Sequence, residues 1–408
     1  MPKAMIVSVG GTPQPIIKSI LEYKPEFISF FASQDTCDKI AEIKTELTKI
    51  GQQPKSEITL AEDVNDLLHC HGKAEEAVER VTSKGYLKDN VIVDYTGGTK
   101  NMSVALALAA ITHGFSFSYV GGKERTKEGV GIVVNGHEKI YQSVNPWDFL
   151  AVEEKKKIAI LFNQYQFKAA KNLTDSILER STKHKTVFKK LGVLIDGYHK
   201  WDLFSHQEAK ECFKKAKLEE SAEIEDMVIQ SFAKASAKCM SFLEELVIND
   251  KKPRYSLILD MYANAERRFK EGKIDDAILR LYRLIEMMAQ ERLMTKYNIN
   301  TSDVIKDSIP DILKADFIAN YKNHRTGKIE IPQTASFKLL NELNDNLGKI
   351  FKTNESRFLK IQSSRNYSYL AHGLECANER TYLSFREFIL ALKVINTDDA
   401  PVFPEMAL

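Results

Sequence analysis

Short apolar runs alternate with amphipathic stretches over about the first 145 residues of the chain. The runs are rich in β-branched and aromatic residues and read AMIVSV, FISFFAS, SEITL, NVIVDY, FSFSYV and GIVVN. This alternation predicts β-strands joined by crossover helices in a parallel sheet. Because the runs are continuously apolar, we expect helices to cover both faces of the sheet. The pattern predicts a Rossmann-like α/β domain over residues 1–148.

The end of this domain has a different pattern. No helical stretch separates FSFSYVGG from VGIVVNGHEKIYQSV, and the segment between them reads GGKERTKEG. Two strand-like runs joined by a short polar, glycine-containing segment are typical of a β-hairpin. We therefore expect the sheet to close with an antiparallel pair.

The rest of the chain is patterned as helices. Residues 149–252 carry Lys and Glu at helical spacing, which is typical of solvated helix faces, and we interpret this part as a helical connector. A second all-α domain is predicted over 253–396. Residues 397–408 show neither helical nor strand periodicity, and we expect an unstructured tail there.

Composition restricts the kind of partner. The chain has 58 basic and 56 acidic side chains, so any binding to nucleic acid must be local. Its five cysteines are scattered and form no CxxC pair, which argues against a disulfide framework and favours a reducing cytoplasm. No stretch approaches the roughly 20 apolar residues that span a bilayer, so we expect no membrane association.

Two groups of histidines carry no metal signature. The triplet His69-Cys70-His71 has no partner ligands at the usual spacing, and adjacent side chains diverge on a helix. His184, His199 and His206, with Trp201, lie in the helical connector without carboxylate or cysteine company, so we interpret them as ordinary residues. We expect no metal site.

Two glycine turns stand where a strand ends and a helix begins. The first reads SVGGTP from Ser8, and the second reads TGGTKN from Thr96. Helix N-termini at the carboxyl ends of strands bind anions, and glycine permits close approach of the backbone. The pair therefore suits a phosphorylated ligand, although such glycines also occur in turns that bind nothing. Neither a Walker loop nor a GxGxxG fingerprint is present, so an ATPase or NAD enzyme is not favoured.

Near the C-terminus, Arg365 and His372 are seven positions apart. On a helix this spacing places them within about 20° of the same face. A histidine moves protons at neutral pH and an arginine holds phosphate, so the pair suits RNA cleavage, in which the 2′-hydroxyl attacks and no metal is required. The alternative is a surface histidine with an ordinary salt-bridging arginine.

These stretches together resemble a known family. VSVGGTPQP and VDYTGGTKNMSVALALAA look like the ligand-facing turns of a CARF domain, and RNYSYLAH looks like the Arg and His motif of a HEPN domain. IDDAILRLYRLIEMMAQERL is similar to another HEPN helix. The chain thus resembles, along its length, the CARF plus HEPN ribonucleases of type III CRISPR systems.

The resemblance implies a homodimer whose CARF domains bind cyclic oligoadenylate and whose HEPN domains then cut single-stranded RNA in antiviral defence. It implies that Arg365 stabilises the phosphate, His372 transfers protons and Asn366 supports both, with no cofactor beyond the activator. Some relatives also cleave their own activator, and the resemblance leaves this activity open here. The implied ligand contacts are Gly10, Gly11, Thr12, Thr96, Gly97, Gly98, Thr99, Lys100 and Asn101.

Two other functions remain open at this stage. A CARF-type transcription regulator would need a DNA-recognition helix, for which the KKAK and KHK tracts of the connector are the only hints. A scaffold with an inactive nuclease domain would associate in response to ligand but would yield no cleavage product.

Overall fold

The computed structural model describes residues 2–122, 138–144, 147–180, 185–217, 227–247, 254–366 and 374–407. The chain divides into two compact units. Unit 1 comprises Met1–Lys157 and Asn172–Lys189, and unit 2 comprises Ile158–Lys171 and Lys190–Leu408. The predicted domain limits at residues 148, 252 and 396 remain a proposal.

Unit 1 contains a six-stranded sheet with the order β3-β2-β1-β4-β5-β6. Strands β1 to β5 run parallel, and β6 pairs antiparallel with β5, as the predicted terminal hairpin requires. The run GIVVN lies outside the described residues. The strands are β1 (Ala4–Ser8), β2 (Phe27–Ser33), β3 (Lys55–Ala61), β4 (Val91–Asp94), β5 (Ser116–Gly122) and β6 (Glu138–Val144).

Helices cover both faces of this sheet. Met5 and Val7 of β1 pack in one apolar cluster with α1 and α2, whereas Ala4 and Ile6 pack in another cluster with α3 and α4. Successive strand residues point to opposite faces, so a strand covered on both sides must be apolar throughout. The predicted Rossmann-like class is confirmed. The helices are α1 (Pro13–Tyr23), α2 (Cys37–Lys49), α3 (Leu67–Thr82) and α4 (Lys100–Ile111).

The chain from Trp147 onward is mainly helical, as predicted. One large apolar cluster joins the helices that follow residue 254, and Met287 and Met288 of α11 are buried in it. The helices are α5 (Trp147–Asn163), α6 (Phe167–Arg180), α7 (Lys185–Asp202), α8 (His206–Ala216), α9 (Met227–Leu246), α10 (Tyr255–Lys270), α11 (Ile274–Tyr297), α12 (Asp311–Tyr321), α13 (Gln333–Glu342), α14 (Asn346–Thr353), α15 (Glu355–Asn366) and α16 (Glu379–Ala391). None of the described helices is both long and apolar enough to cross a membrane.

The C-terminal segment is packed, which corrects the prediction of an unstructured tail. The Phe403 ring is 6% exposed and lies 4.8 Å from the Tyr198 ring and 5.1 Å from the Trp201 ring. Asn163 donates from Nδ2 to the Met406 carbonyl at 2.8 Å and accepts the Met406 N–H at 2.9 Å. A few buried side chains hold a short segment in place even though it has no regular secondary structure, because their packing partners are distant in the sequence.

Trp201 and His206 have a carboxylate partner, contrary to the sequence interpretation, whereas His184 lies outside the described residues. Asp260 of α10 is fully buried; one carboxylate oxygen accepts the Trp201 indole N–H at 2.9 Å, and the other lies 2.8 Å from His206 Nε2. A buried carboxylate is costly unless it is hydrogen-bonded, and these two side chains supply the partners. Sequence proximity could not show this, because Asp260 is more than 50 positions away.

Candidate functional site

The two glycine turns lie side by side at the point where the strand order reverses. The first turn follows β1 and leads into α1, and the second follows the neighbouring strand β4 and leads into α4. The two helices lie on opposite faces of the sheet. In open α/β sheets, ligands bind in the crevice at this position, outside the carboxyl ends of the strands.

The turns are held together by direct backbone packing. A Cβ on Gly97 would lie 2.5 Å from the Ser8 carbonyl oxygen and 2.6 Å from the Gly10 nitrogen. A Cβ on Gly10 would lie 2.8 Å from the Gly98 nitrogen. Gly98 has a φ of +80°, in the region that favours glycine. The contact between the two turns therefore requires these glycines. No atom of the described residues, apart from the chain neighbours of Gly11, lies within 4 Å of a Cβ placed on Gly11.

Hydroxyl groups fix the carbonyl of Gly97. Ser8 Oγ donates to this oxygen at 2.7 Å, and Ser103 Oγ, from the first turns of α4, donates to it at 3.1 Å. A carbonyl with two protein donors is occupied as an acceptor and presents less negative potential to an incoming anion. Neither serine is among the ligand residues predicted from the sequence.

Each turn ends at a helix N-terminus. Thr99 is the N-cap of α4, and its Oγ1 accepts the Met102 N–H at 3.3 Å. Thr12 precedes Pro13 at the start of α1, and its side chain makes no capping hydrogen bond. The first N–H groups of a helix lack intrahelical acceptors and carry partial positive charge. With the exposed Lys100 at the start of α4, this edge suits a negatively charged ligand.

Two predicted ligand residues hold the site together. Thr96 Oγ1 accepts the Val120 N–H at 2.8 Å, which ties the second turn to β5. Asn101 Nδ2 donates to the carbonyls of Val64 at 3.2 Å and Asn65 at 2.8 Å, on the segment after β3. The structure thus brings all of the predicted ligand residues to one edge of the sheet, and a direct role for Thr96 and Asn101 in binding stays a prediction.

Asp94 lies beneath the second turn and was missed from the sequence. Its side chain is fully buried, its Oδ1 accepts the Thr96 N–H at 2.9 Å, and Ser19 of α1 donates to its Oδ2. Burial raises the pKa of this carboxyl above its usual range, and the hydrogen bonds from Ser19 and Thr96 oppose the shift. The signal in the sequence was a single acidic residue at the end of an otherwise apolar strand.

The second predicted site falls at the end of α15. Arg365 and Asn366 are its last two residues, and the structure describes their backbone as helical but not their side chains. His372 lies in 367–373, outside the described residues. The proximity of Arg365 and His372 therefore stays a prediction.

Both sides of this segment are anchored in the described structure. Before it, Phe358 and Ile361 of α15 are buried, and Gln362 Nε2 donates to the Tyr282 hydroxyl of α11 at 3.0 Å. After it, the Ala377 N–H lies 3.0 and 3.2 Å from the two carboxylate oxygens of Asp275, near the start of α11. Helix α11 thus holds the chain on either side of the predicted catalytic motif.

Comparison with known proteins identifies the two helical parts. Residues 150–243 match the model of the Csm6 6H domain, and residues 247–396 match the model of the Csm6 HEPN domain. Among solved structures, Csm6 of Enterococcus italicus bound to cyclic hexa-2′-fluoro-hexa-dAMP is similar, with 15% identity and a TM-score of 0.61. The similarity covers 98% of this chain and 96% of that chain, and it shows a common fold.

Can2 of Sulfobacillus thermosulfidooxidans, in complex with cyclic tetra-adenylate, is more distant. Its identity is 13% and its TM-score 0.26, over 60% of this chain and 67% of that chain. No curated protein sequence matches the chain significantly. Because the two Csm6 domain models together match well over half of its residues, the chain belongs to the Csm6 family, a family of CARF plus HEPN effectors of type III CRISPR systems.

Proposed function

We propose that this protein is an endoribonuclease that cuts single-stranded RNA when its CARF domain binds cyclic oligoadenylate. The observation that carries the proposal is the contact between the two glycine turns, which sets two helix N-termini side by side at the topological switch point. A phosphorylated ring fits such a site, because unpaired N–H groups and Lys100 complement its negative charges. The similar Enterococcus italicus structure contains a cyclic oligonucleotide.

The nuclease step is assigned to Arg365 and His372. In the proposed reaction the 2′-hydroxyl of the RNA attacks the adjacent phosphorus and the bond to the 5′-oxygen breaks. His372 transfers the proton, and Arg365 stabilises the charge that develops on the phosphate oxygens. Asn366 supports their placement. The RNA supplies its own nucleophile, so the reaction needs no metal ion, and two chains form one composite cleft in a homodimer.

Single substitutions test the assignment of the site. Arg365→Ala and His372→Ala are each expected to reduce RNA cleavage by about 10²-fold or more, because each removes charge stabilisation or proton transfer. Binding of the cyclic ligand is expected to be unchanged. Arg357→Ala, two turns earlier on α15, and the exposed His324→Ala serve as matched controls and should cut at the wild-type rate.

Two outcomes would replace the proposal. If both site variants cut RNA at the wild-type rate, the catalytic assignment is wrong. If the wild type binds the ligand, cuts no RNA and binds duplex promoter DNA tightly, the protein is a transcription regulator. Chromatography of the ligand after the assay shows in the same experiment whether the protein also cleaves its activator.

A further inference from the structure

Three tyrosines form a continuous aromatic row beside the second glycine turn. Tyr95 directly precedes Thr96, Tyr119 lies in β5, and Tyr141 lies opposite Tyr119 in β6. The ring centroids of Tyr95 and Tyr119 are 5.6 Å apart, and those of Tyr119 and Tyr141 are 6.3 Å apart. The row runs outward from the turn across the last two strands.

Gly121 lies beneath the rings of Tyr119 and Tyr141. A Cβ at this position would lie 2.8 Å from Tyr141 Cε2 and 3.1 Å from Tyr119 Cε1. Gly121 is two residues after Tyr119, so its missing side chain would point to the same face of the sheet. Because glycine has no side chain, the two rings can lie across this position, with their planes inclined by 33° to each other.

The outer end of the row is accessible and carries a positive charge. Tyr141 is 49% exposed. The exposed Lys139, two positions earlier on β6, places its Nζ 5.4 Å from the Tyr141 ring centroid. Neighbouring aromatic rings with a cation over the outer one fit a nucleobase attached to a phosphate.

The Tyr119 and Tyr141 rings over Gly121, here called the platform, are connected to the proposed phosphate site by one hydrogen bond. Val120, next to Tyr119, donates its N–H to Thr96 Oγ1 in the second turn. Strands are about 4.8 Å apart, so β6 is about 10 Å from β4. One nucleotide can bridge that distance, with its phosphate at the turn and its base over the rings.

We infer that Tyr119 and Tyr141, over Gly121, form a base-stacking subsite for an adenine of the cyclic oligoadenylate. This inference rests on the proposed function and adds to it the recognition of the base. The glycine turns hold phosphates, which any nucleotide carries, whereas the platform adds affinity that depends on an aromatic base. Lys139 pairs with the second phosphate that flanks this nucleotide in the ring, since the first lies at the glycine turn.

Substitutions that change only the ring test the subsite. Stacking of a base on an aromatic side chain contributes about 1–3 kcal/mol, so Tyr141→Leu should weaken binding about 5- to 150-fold. Tyr141→Phe and Tyr141→Trp keep a flat ring and should bind within about twofold of wild type. Gly121→Ala leaves Tyr141 in place but displaces its ring, and it should weaken binding in the same way as Tyr141→Leu.

The measurement uses cyclic tri-, tetra- and hexa-adenylate, in each of which one adenine is replaced by 2-aminopurine. The subsite is supported if the 2-aminopurine fluorescence is quenched on binding to the wild type, Tyr141→Phe and Tyr141→Trp. It also requires weaker quenching on binding to Tyr141→Leu and Gly121→Ala. Thermal unfolding of each variant confirms that it is folded. A variant that binds weakly because it has lost its fold shows a lowered melting temperature. In that case the binding of Tyr141→Phe is the test, and weak binding by Tyr141→Phe contradicts the subsite.

The outcomes separate this inference from the proposed function. If the wild type binds none of the three rings, the proposed ligand is wrong and the subsite fails with it. If the wild type binds one ring and Tyr141→Leu binds it equally well with equal quenching, the subsite alone is wrong. If Tyr141→Leu instead changes the molecular mass measured by sedimentation, the platform contacts a second copy of the chain, which also overturns the inference.

Discussion

The backbone nitrogen of Gly10 lies 2.6 Å from the position that a Cβ of Gly97 would occupy. The two residues belong to turns that are separated by more than 80 positions in the sequence and meet through neighbouring strands β1 and β4. Neither can carry a side chain without moving the other turn. The glycines are therefore a matched pair that sets the spacing between two helix N-termini.

A methyl group at this contact tests the matched pair. Gly97→Ala should destabilise unit 1 by about 1–3 kcal/mol, as overpacking does, and should abolish activation by the cyclic ligand because the turns separate. Gly72→Ala is the control. Gly72 lies inside α3, and in the described part of the chain nothing outside the helix's own backbone lies within 4 Å of the position that a Cβ would occupy. Alanine there should stabilise the helix by up to about 1 kcal/mol. Full activation of Gly97→Ala would contradict the packing argument.

Ionisation of Asp94 should make stability depend on pH. Burial raises the pKa of this carboxyl above the ordinary value of 3.8, so the folded state binds the proton more tightly than the unfolded state. The contribution of the protonated Asp94 carboxyl to the free energy of unfolding is complete below pH 3.8. This contribution is lost as the pH rises through the raised pKa of the folded state. Asp94→Asn cannot ionise and keeps an acceptor for the Thr96 N–H.

Denaturant unfolding at several pH values measures this effect. The free energy of unfolding of Asp94→Asn, relative to the wild type, should increase as the pH rises from about 4 towards neutrality. If the difference in the free energy of unfolding between Asp94→Asn and the wild type is the same at every pH, folding does not raise the pKa of Asp94. Asp94→Ala should be less stable than Asp94→Asn throughout, because it leaves the partly buried Thr96 N–H without its acceptor.

Removal of the Phe403 ring should destabilise unit 2. This ring is buried against Tyr198 and Trp201, and the Arg267 guanidinium lies 4.0 Å from its centroid. Phe403→Ala should therefore cost about 3–5 kcal/mol in the free energy of unfolding. The neighbouring Val402 is 81% exposed, and Val402→Ala should change stability by less than about 0.5 kcal/mol. Equal stability of the two variants would mean that the tail is not docked in solution.

The contact between Asp275 and the Ala377 N–H should matter for cleavage but not for ligand binding. Asp275→Ala leaves that N–H without its acceptor, at a cost of about 1–3 kcal/mol, and releases the chain five positions after His372. We expect slower RNA cleavage with unchanged affinity for the cyclic ligand, and partial recovery in Asp275→Asn, whose amide oxygen still accepts. The exposed Cys376, next to Ala377, reports whether the chain is released. Its alkylation rate in the Asp275 variants should differ from that in the wild type.

The α/β class and the two turns could be predicted because their signals are local. Apolar runs in β1 to β5 and glycines at the strand ends follow from conformational preferences of neighbouring residues. Asp94, Ser8 and Ser103 were missed because their importance comes from partners on other strands and helices. Only the register of β5 with β6 places Tyr119 beside Tyr141.

The two corrections have the same physical origin. Residues 397–408 lack periodicity, which predicts a loose tail, yet Phe403 fills a position between helices that are about 200 positions away in the sequence. Trp201 and His206 were interpreted as residues without a carboxylate partner, yet α10 brings Asp260 between them. Burial that depends on such distant partners leaves no pattern in the local sequence.

The most direct test of the account measures RNA cleavage as a function of the cyclic ligand. The purified protein is mixed with a fluorescent single-stranded RNA and EDTA, either alone or with cyclic tri-, tetra- or hexa-adenylate. The account predicts negligible cleavage without ligand and rapid cleavage with at least one ring. Equal cleavage with and without every ring, or no cleavage with any of them, would contradict it.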